Sequence, residues 1–203
     1  MDWHRLRFNE YLYPNFLQLV IDQYKTIAAP SEGYYKAKGS KFTAFAIPIF
    51  SEEEFKAHLQ KIKKEHPNSG HYCYGFRIGA DNKRYRYSDD GEPSSTAGKP
   101  IFGQIQSYEL SNIMIVVIRY FGGTKLGVGG LNTAFRTSAR EAIDNAKIIT
   151  RTVDNIYRIE FSYAIMSEVM NFIKKNKIEI LSQHLEEHGS IDLKIRQSDA
   201  EEK

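Results

Sequence analysis

The chain has 203 residues, with 28 Lys and Arg against 25 Asp and Glu, 41% hydrophobic and 13% aromatic residues, and no apolar run approaching the ~20 residues of a membrane-spanning helix. Twelve Phe and thirteen Tyr offer enough surface to bury against the entropy of ordering, which excludes wholesale disorder and places the length at one large domain or a medium one with a small companion. Residues 155–203 hold 7 basic and 9 acidic residues, leaving 21 and 16 on residues 1–154, so a polyanion partner is expected on the larger N-terminal part.

Residues 1–23 mix aromatics (Trp3, Phe8, Tyr11, Tyr13, Phe16) with polar residues around Pro14 and read as an N-terminal extension that docks by its rings. Residues 24–40, punctuated by Pro30, Ser31, Gly33 and Gly39, read as a lead-in loop. A strand is expected over 41–50. Ser51 followed by Glu54 is a capping box for a helix with Phe55, Leu59 and Ile62 on one stripe, ended by Pro67, Asn68 and Gly70. Residues 71–78 and 83–87 read as paired strands, and 88–100, SDDGEPSSTAGKP, as a loop.

The run Ile113–Ile118 is uninterrupted and largely β-branched, which predicts a strand buried on both faces. Gly122 to Gly130 follows, with five glycines in nine residues, and a helix is expected from Leu131, with Ala134, Phe135, Ser138, Ala142, Ile143 and Ala146 on its apolar face. Past 151–155 the pattern restarts as strand 156–163, helix 167–175, strand 178–184 and strand 190–196. This β-α-β-β order opens a ferredoxin-like unit whose second helix and fourth strand are absent, leaving an open sheet edge.

A strand that feeds glycines into a helix exposes backbone N–H groups at the helix start, and glycine lets an anion approach them. The spacing of Gly122, Gly123, Gly127, Gly129 and Gly130 fails both the Walker and the dinucleotide patterns. Phosphate or nucleic-acid backbone contact and plain close packing therefore stand side by side. Arg119 stands just before the glycines, Lys125 among them, and Arg136 and Arg140 on the helix after them, and Lys99 joins the candidate phosphate- or nucleic-acid-binding residues. Arg84 and Arg86, interleaved with Tyr85 and Tyr87, suit single-stranded nucleic acid, with charge on the backbone and rings under bases, or equally an amphipathic strand with its tyrosines packed inward. Asp89, Asp90 and Glu92 are possible loop acids, expected to cap turns rather than hold a metal, and Arg119 is expected to pair with Asp89 or Asp90. Cys73, the single cysteine, forms no internal disulfide and is expected in the core; with no basic-then-apolar leader, this points to a reducing cytoplasm. No catalytic residue, metal or cofactor is assigned.

KGSKF (Lys38–Phe42), DDGEPSSTAGKP (Asp89–Pro100) and VVIRYFGGTKLGVGGL (Val116–Leu131) resemble the signature blocks of the IMPACT family and its bacterial YigZ-type branch. Ser95, Phe102 and Asn132–Phe135 depart from the usual residues. The resemblance implies an α+β protein: residues 1–23 as an extension, 24–150 as a ribosomal protein S5 domain 2-like domain, and 151–203 as a small, incomplete ferredoxin-like domain similar to elongation factor G domain V. Eukaryotic members carry an N-terminal RWD domain and dampen a starvation-sensing kinase of translation initiation. The twenty-three residues ahead of the match are too few for that domain, so the kinase role is not expected here. The preferred reading is a cytoplasmic, non-enzymatic protein that binds RNA or a ribosomal or translation-factor surface and modulates translation. Its rivals are an enzyme acting on a small phosphorylated or nucleotide ligand and a protein-interaction scaffold.

Overall fold

Ile113 through Ile118 are fully buried, and a strand without a solvent face has to be covered on both sides. In the computed structural model, which describes residues 22–185 and 188–200, that strand is the middle of a five-stranded sheet. The elements in chain order are β1 (Gln23–Ile27), β2 (Ser31–Ala37), β3 (Ser40–Pro48), α1 (Glu52–Glu65), β4 (Tyr72–Ile78), β5 (Arg84–Ser88), α2 (Gly98–Ser107), β6 (Ile113–Tyr120) and α3 (Gly127–Asp144). They continue with β7 (Ile148–Thr152), β8 (Asp154–Phe161), α4 (Met166–Lys175), β9 (Glu179–Leu185), β10 (Gly189–Arg196) and α5 (Gln197–Ala200). The chain is thus a mixed α+β protein.

The large sheet runs β2-β3-β6-β4-β5, every neighbour antiparallel. Alternation along β6 divides its side chains between two layers. Ile113, Ile115 and Val117 meet Ile101 and Ile105 of α2 and Phe135 and Ala139 of α3, while Met114, Val116 and Ile118 share the other face with Phe55 and Ile62 of α1. The capping box forms with a small shift: the Glu54 N–H donates to Ser51 Oγ at 3.1 Å, and the Glu54 carboxylate accepts from the Phe50 N–H at 2.8 Å rather than from Ser51.

Several expectations are corrected. Residues 24–40 are no lead-in loop but carry β1 and β2. Gly33 is a packing site rather than a break, since a Cβ there would run into the backbone of Ser138, Glu141 and Ala142 on α3. The real turn is at Lys38 and Gly39, both with positive φ. Within the expected loop 88–100, α2 begins at Gly98, and α3 begins at Gly127 rather than Leu131. The connection near 151 contains β7, which pairs antiparallel with β1. The proposed docking of the N-terminal extension lies, through residue 21, outside the described residues.

The four elements expected near the C-terminus are present. β8, β10 and β9 form an antiparallel sheet in that order, with β10 in the middle. Met166, Val169, Met170 and Ile173 of α4 pack on Phe161, Ile191 and Leu193. The Val153 N–H donates to the Asp22 carbonyl at 2.7 Å, and Arg196 pairs with the Asp22 carboxylate at 2.7 Å, so the start of β1 is tied to the end of β10.

Two glycines give opposite expectations. Gly33→Ala should lower stability in urea denaturation by about 1–3 kcal/mol by wedging β2 off α3. Gly103→Ala, on α2 with open space around the site, should raise it by about 0.5–1 kcal/mol.

Candidate functional site

The three signature blocks meet at one end of the large sheet. Lys38–Phe42 forms the β2–β3 turn, Asp89–Pro100 connects β5 to α2, and Val116–Leu131 runs along β6 into the first turns of α3. Backbone contact joins the first and third. A Cβ on Gly122 would fall inside the backbone of Gly39 and Ser40, and the Gly122 N–H donates to Ser40 Oγ at 3.1 Å. Only glycine permits that crossing.

Each acid of the second block has its own task. The Asp89 carboxylate accepts from the N–H groups of Ser95, Ala97 and Gly98 at 2.8, 2.9 and 2.8 Å, capping α2, whose N-cap residue Ala97 has no side chain that could do so. Asp90 accepts from the Tyr72 N–H at 2.7 Å, and its carbonyl meets His71 Nδ1 at 2.6 Å. Glu92 receives Arg119 Nη1 on both oxygens, at 2.8 and 3.1 Å. The expected Arg119 pairing is therefore real but with a different acid. Asp89 and Asp90 are committed to backbone donors, and Glu92, one methylene longer, reaches the guanidinium.

The Arg119–Glu92 pair is nearly dry, with side chains 11% and 4% exposed. The guanidinium also lies 5.6 Å from the Phe42 ring and 5.3 Å from the Phe121 ring, so all three blocks converge on it. Arg119 Nε is buried without a hydrogen-bond partner among the described residues. Beneath the loop, the Cys73 thiol donates to the Asp89 carbonyl at 2.9 Å. Burial first, and the neighbouring carboxylates second, push its pKa far above the ordinary thiol range, which is the opposite of what a nucleophile needs.

The glycines divide into two kinds. Gly122 is required by packing. Around Gly123, Gly127 and Gly129 a Cβ would meet nothing, so packing does not account for them. Gly127, Gly129 and Gly130 lie in the first turn of α3, which has neither a side-chain cap nor an acidic residue. Gly123 and Gly127 have positive φ, and Lys125 is exposed beside them. An uncapped helix start next to a cation favours an anion. Lys99 is exposed in the first turn of α2.

Arg84 and Arg86 are not part of this cluster. On the edge strand β5 they face the α1 side, where Arg86 lies 6.0 Å from the Phe76 ring and 3.6 Å from Glu52. Tyr85 and Tyr87 turn to the other side and stack on Phe102, with centroids at 4.9 and 5.6 Å. The predicted separation of cations and rings across the strand is real, but Arg119 sits on the opposite face from Arg84 and Arg86. Sequence reasoning missed Tyr34, Lys36, Lys41 and Phe121, which surround the β2–β3 turn. The alternation of Tyr34 and Lys36 ahead of Lys38 and Lys41 was the available signal, hidden by reading β2 as a loop.

Arg119→Ala should destabilise the fold by about 3–5 kcal/mol, because it leaves the buried Glu92 unpaired. Replacing both partners with apolar residues of similar volume should cost much less in the same denaturation assay. Cys73 should resist iodoacetamide in the folded protein and react once the chain is unfolded, as followed by mass spectrometry.

Residues 38–143 match the family model of the Impact N-terminal domain. Over 148 residues the chain is 34% identical to an IMPACT family member of Haemophilus influenzae, covering 72% of each chain. It is 28% identical over 180 residues to the IMPACT family member YvyE of Bacillus subtilis, covering 89% of this chain and 83% of that one. A crystal structure of a hypothetical protein, 26% identical, superposes with a TM-score of 0.72 over 89% of both chains. Blocks that pack on one another around Arg119, and relatives that match across most of the length, lead to the same statement: the chain belongs to the IMPACT family.

Proposed function

We propose that this protein is a cytoplasmic, non-enzymatic modulator of translation that binds RNA or a ribosomal surface through the signature-block end of its large sheet. The observation that carries the reading is the first turn of α3, open, uncapped and free of acidic residues, with Lys125 beside it. Its backbone N–H groups suit phosphate oxygens, and glycine keeps side chains out of the way. Gly123, Gly127, Gly129 and Gly130 would cradle the phosphate, with Lys125 and Lys99 supplying charge. Arg119 acts indirectly, by holding the loop. Arg84 and Arg86 meet the same ligand only if it wraps around the edge of the sheet. The rival enzyme reading loses support because Asp89, Asp90 and Glu92 are occupied by backbone donors and Arg119.

Within this proposal, residues 24–150 form the S5 domain 2-like unit and residues 151–203 the elongation factor G domain V-like unit. The separate hydrophobic cluster around Phe161, Ile173, Ile191 and Leu193 supports that division. Among the described residues no helix is long and apolar enough to cross a membrane.

Co-sedimentation with purified ribosomal particles tests the proposal. The protein should pellet at about 50 mM salt and be released near 200 mM, the behaviour of binding by counterion release. Lys99→Gln combined with Lys125→Gln should flatten the salt slope by about 1.4 if both lysines meet a single strand. Failure to pellet at any salt concentration would remove the reading.

A further inference from the structure

The sheet face that carries α1 is covered unevenly. Phe55 of α1 packs on Tyr74 and Phe76 of β4, and His66, at the end of the helix, meets Phe45 of β3 and Tyr120 of β6. Beyond His66, toward β2, the face lies bare. Two cross-strand rows lie there. One is Lys36 and Lys41, running on to the half-buried Tyr120; the next is Tyr34 and Thr43, running on to Ile118, which is already covered by α1. A groove of about 590 Å³ is lined by Tyr34, Lys36, Lys41, Thr43 and Tyr120, bordered by Phe121, and reaches Tyr35 and Phe42 at the sheet end. Tyr34 is 55% exposed and Phe121 59%.

Lys36 stands directly opposite Lys41. Like charges at facing positions destabilise a strand pair, and Lys38 adds a third cation in the adjoining turn. None of the ion pairs formed by the described residues includes Lys36, Lys38 or Lys41. Glu32, the nearby carboxylate on β2, is engaged by the Tyr34 hydroxyl. A lysine on an edge strand is a common device against edge-to-edge aggregation, and that explains Lys36 on β2. It does not explain Lys41, because β3 is an interior strand paired on both sides. The three exposed cations are free to take an anion, and the rings beside them offer flat surfaces.

We infer that this bare quarter of the sheet binds single-stranded RNA, with Lys36, Lys38 and Lys41 on the phosphates and the Tyr34 and Phe121 rings under the bases. The inference rests on the RNA reading above and gives it a second surface, whose Tyr34, Lys36 and Lys41 lie on the opposite face of the sheet from Arg119, with Phe121, which also touches Arg119, at its border. Rings select a single strand, because the bases of a duplex are stacked on one another and closed to them.

Fluorescence anisotropy with a short labelled oligouridylate, and with a duplex RNA of the same length, tests it on the full chain. The single strand should bind more tightly than the duplex. Tyr34→Ala should weaken single-strand binding by about 5- to 10-fold, in line with the loss of one stacked base. Lys36→Gln with Lys41→Gln should flatten the salt slope by about 1.4. Without RNA the same double variant should unfold at a temperature equal to or above that of the parent, since the facing charges are gone. Unchanged affinity in both folded variants would overturn the inference. So would equal binding of single strand and duplex together with indifference to Tyr34→Ala, which would mean charge alone, and so would displacement of the RNA by an acidic peptide that the double variant no longer binds. If the protein pellets with ribosomal particles yet binds no free single strand, this inference fails while the proposed function stands.

Discussion

With Ile113 through Ile118 excluded from water on both faces, β6 can exist only between two helical layers, and the placement of everything else follows from meeting that demand. Each buried Ile or Val contributes about 1.5–3 kcal/mol, so the strand anchors α2 and α3 on one side and α1 on the other. It also fixes where chemistry begins. Full burial stops before Arg119 and Tyr120, and the glycines start after the exposed Phe121 that follows them. The residues released from the core at that point are the ones that the other two signature blocks fold around.

Arg119 converts this convergence into a fixed geometry. An ion pair this dry recovers little net stability, since both groups lose their hydration. What it gives is position: Glu92 is held to β6, and Asp89 holds the following residues as the cap of α2. Gly122 does the same work through bare backbone, by admitting Gly39 and Ser40 to contact. Against that fixed frame, the first turn of α3 stands open. The loop acids are thus part of the scaffold, and the ligand-facing features are the N–H groups and lysines beside it.

Strong local signals were readable from the chain alone. The continuous apolar run gave β6, Ser51 and Glu54 gave the start of α1, and the alternation past residue 155 gave the small sheet and α4. The errors share one cause. Gly33 looked like punctuation because its real constraint, the backbone of α3, lies more than a hundred residues away in sequence. β1 and β7 are short, β7 is largely exposed, and the two pair with each other. α2 is capped by Asp89 from outside its own sequence, so no local capping signal announced it. The partner of Arg119 was likewise settled by which acids were already occupied, and that is a property of the fold.

The bare corner of the sheet follows from dimensions. Five strands about 4.8 Å apart span roughly 19 Å between the outermost ones, and a single helix about 10 Å across cannot cover them, whereas α2 and α3 together cover the other face. α1 lies obliquely, from Glu52 beside Arg86 on β5 to His66 beside β3 and β6, so both flanks of its face are left open and both carry cations. They are not equivalent. The acidic first turn of α1, Glu52 to Glu54, sits at the β5 flank, where Glu52 pairs with Arg86, whereas in its last turn Lys63 lies over the Tyr72 ring of β4. The helix therefore partly neutralises Arg86, while Lys36 and Lys41 take part in none of the ion pairs of the described residues. Of the two open flanks, the one whose cations stay unpaired is the better anion site, and it also presents Tyr34 and Phe121.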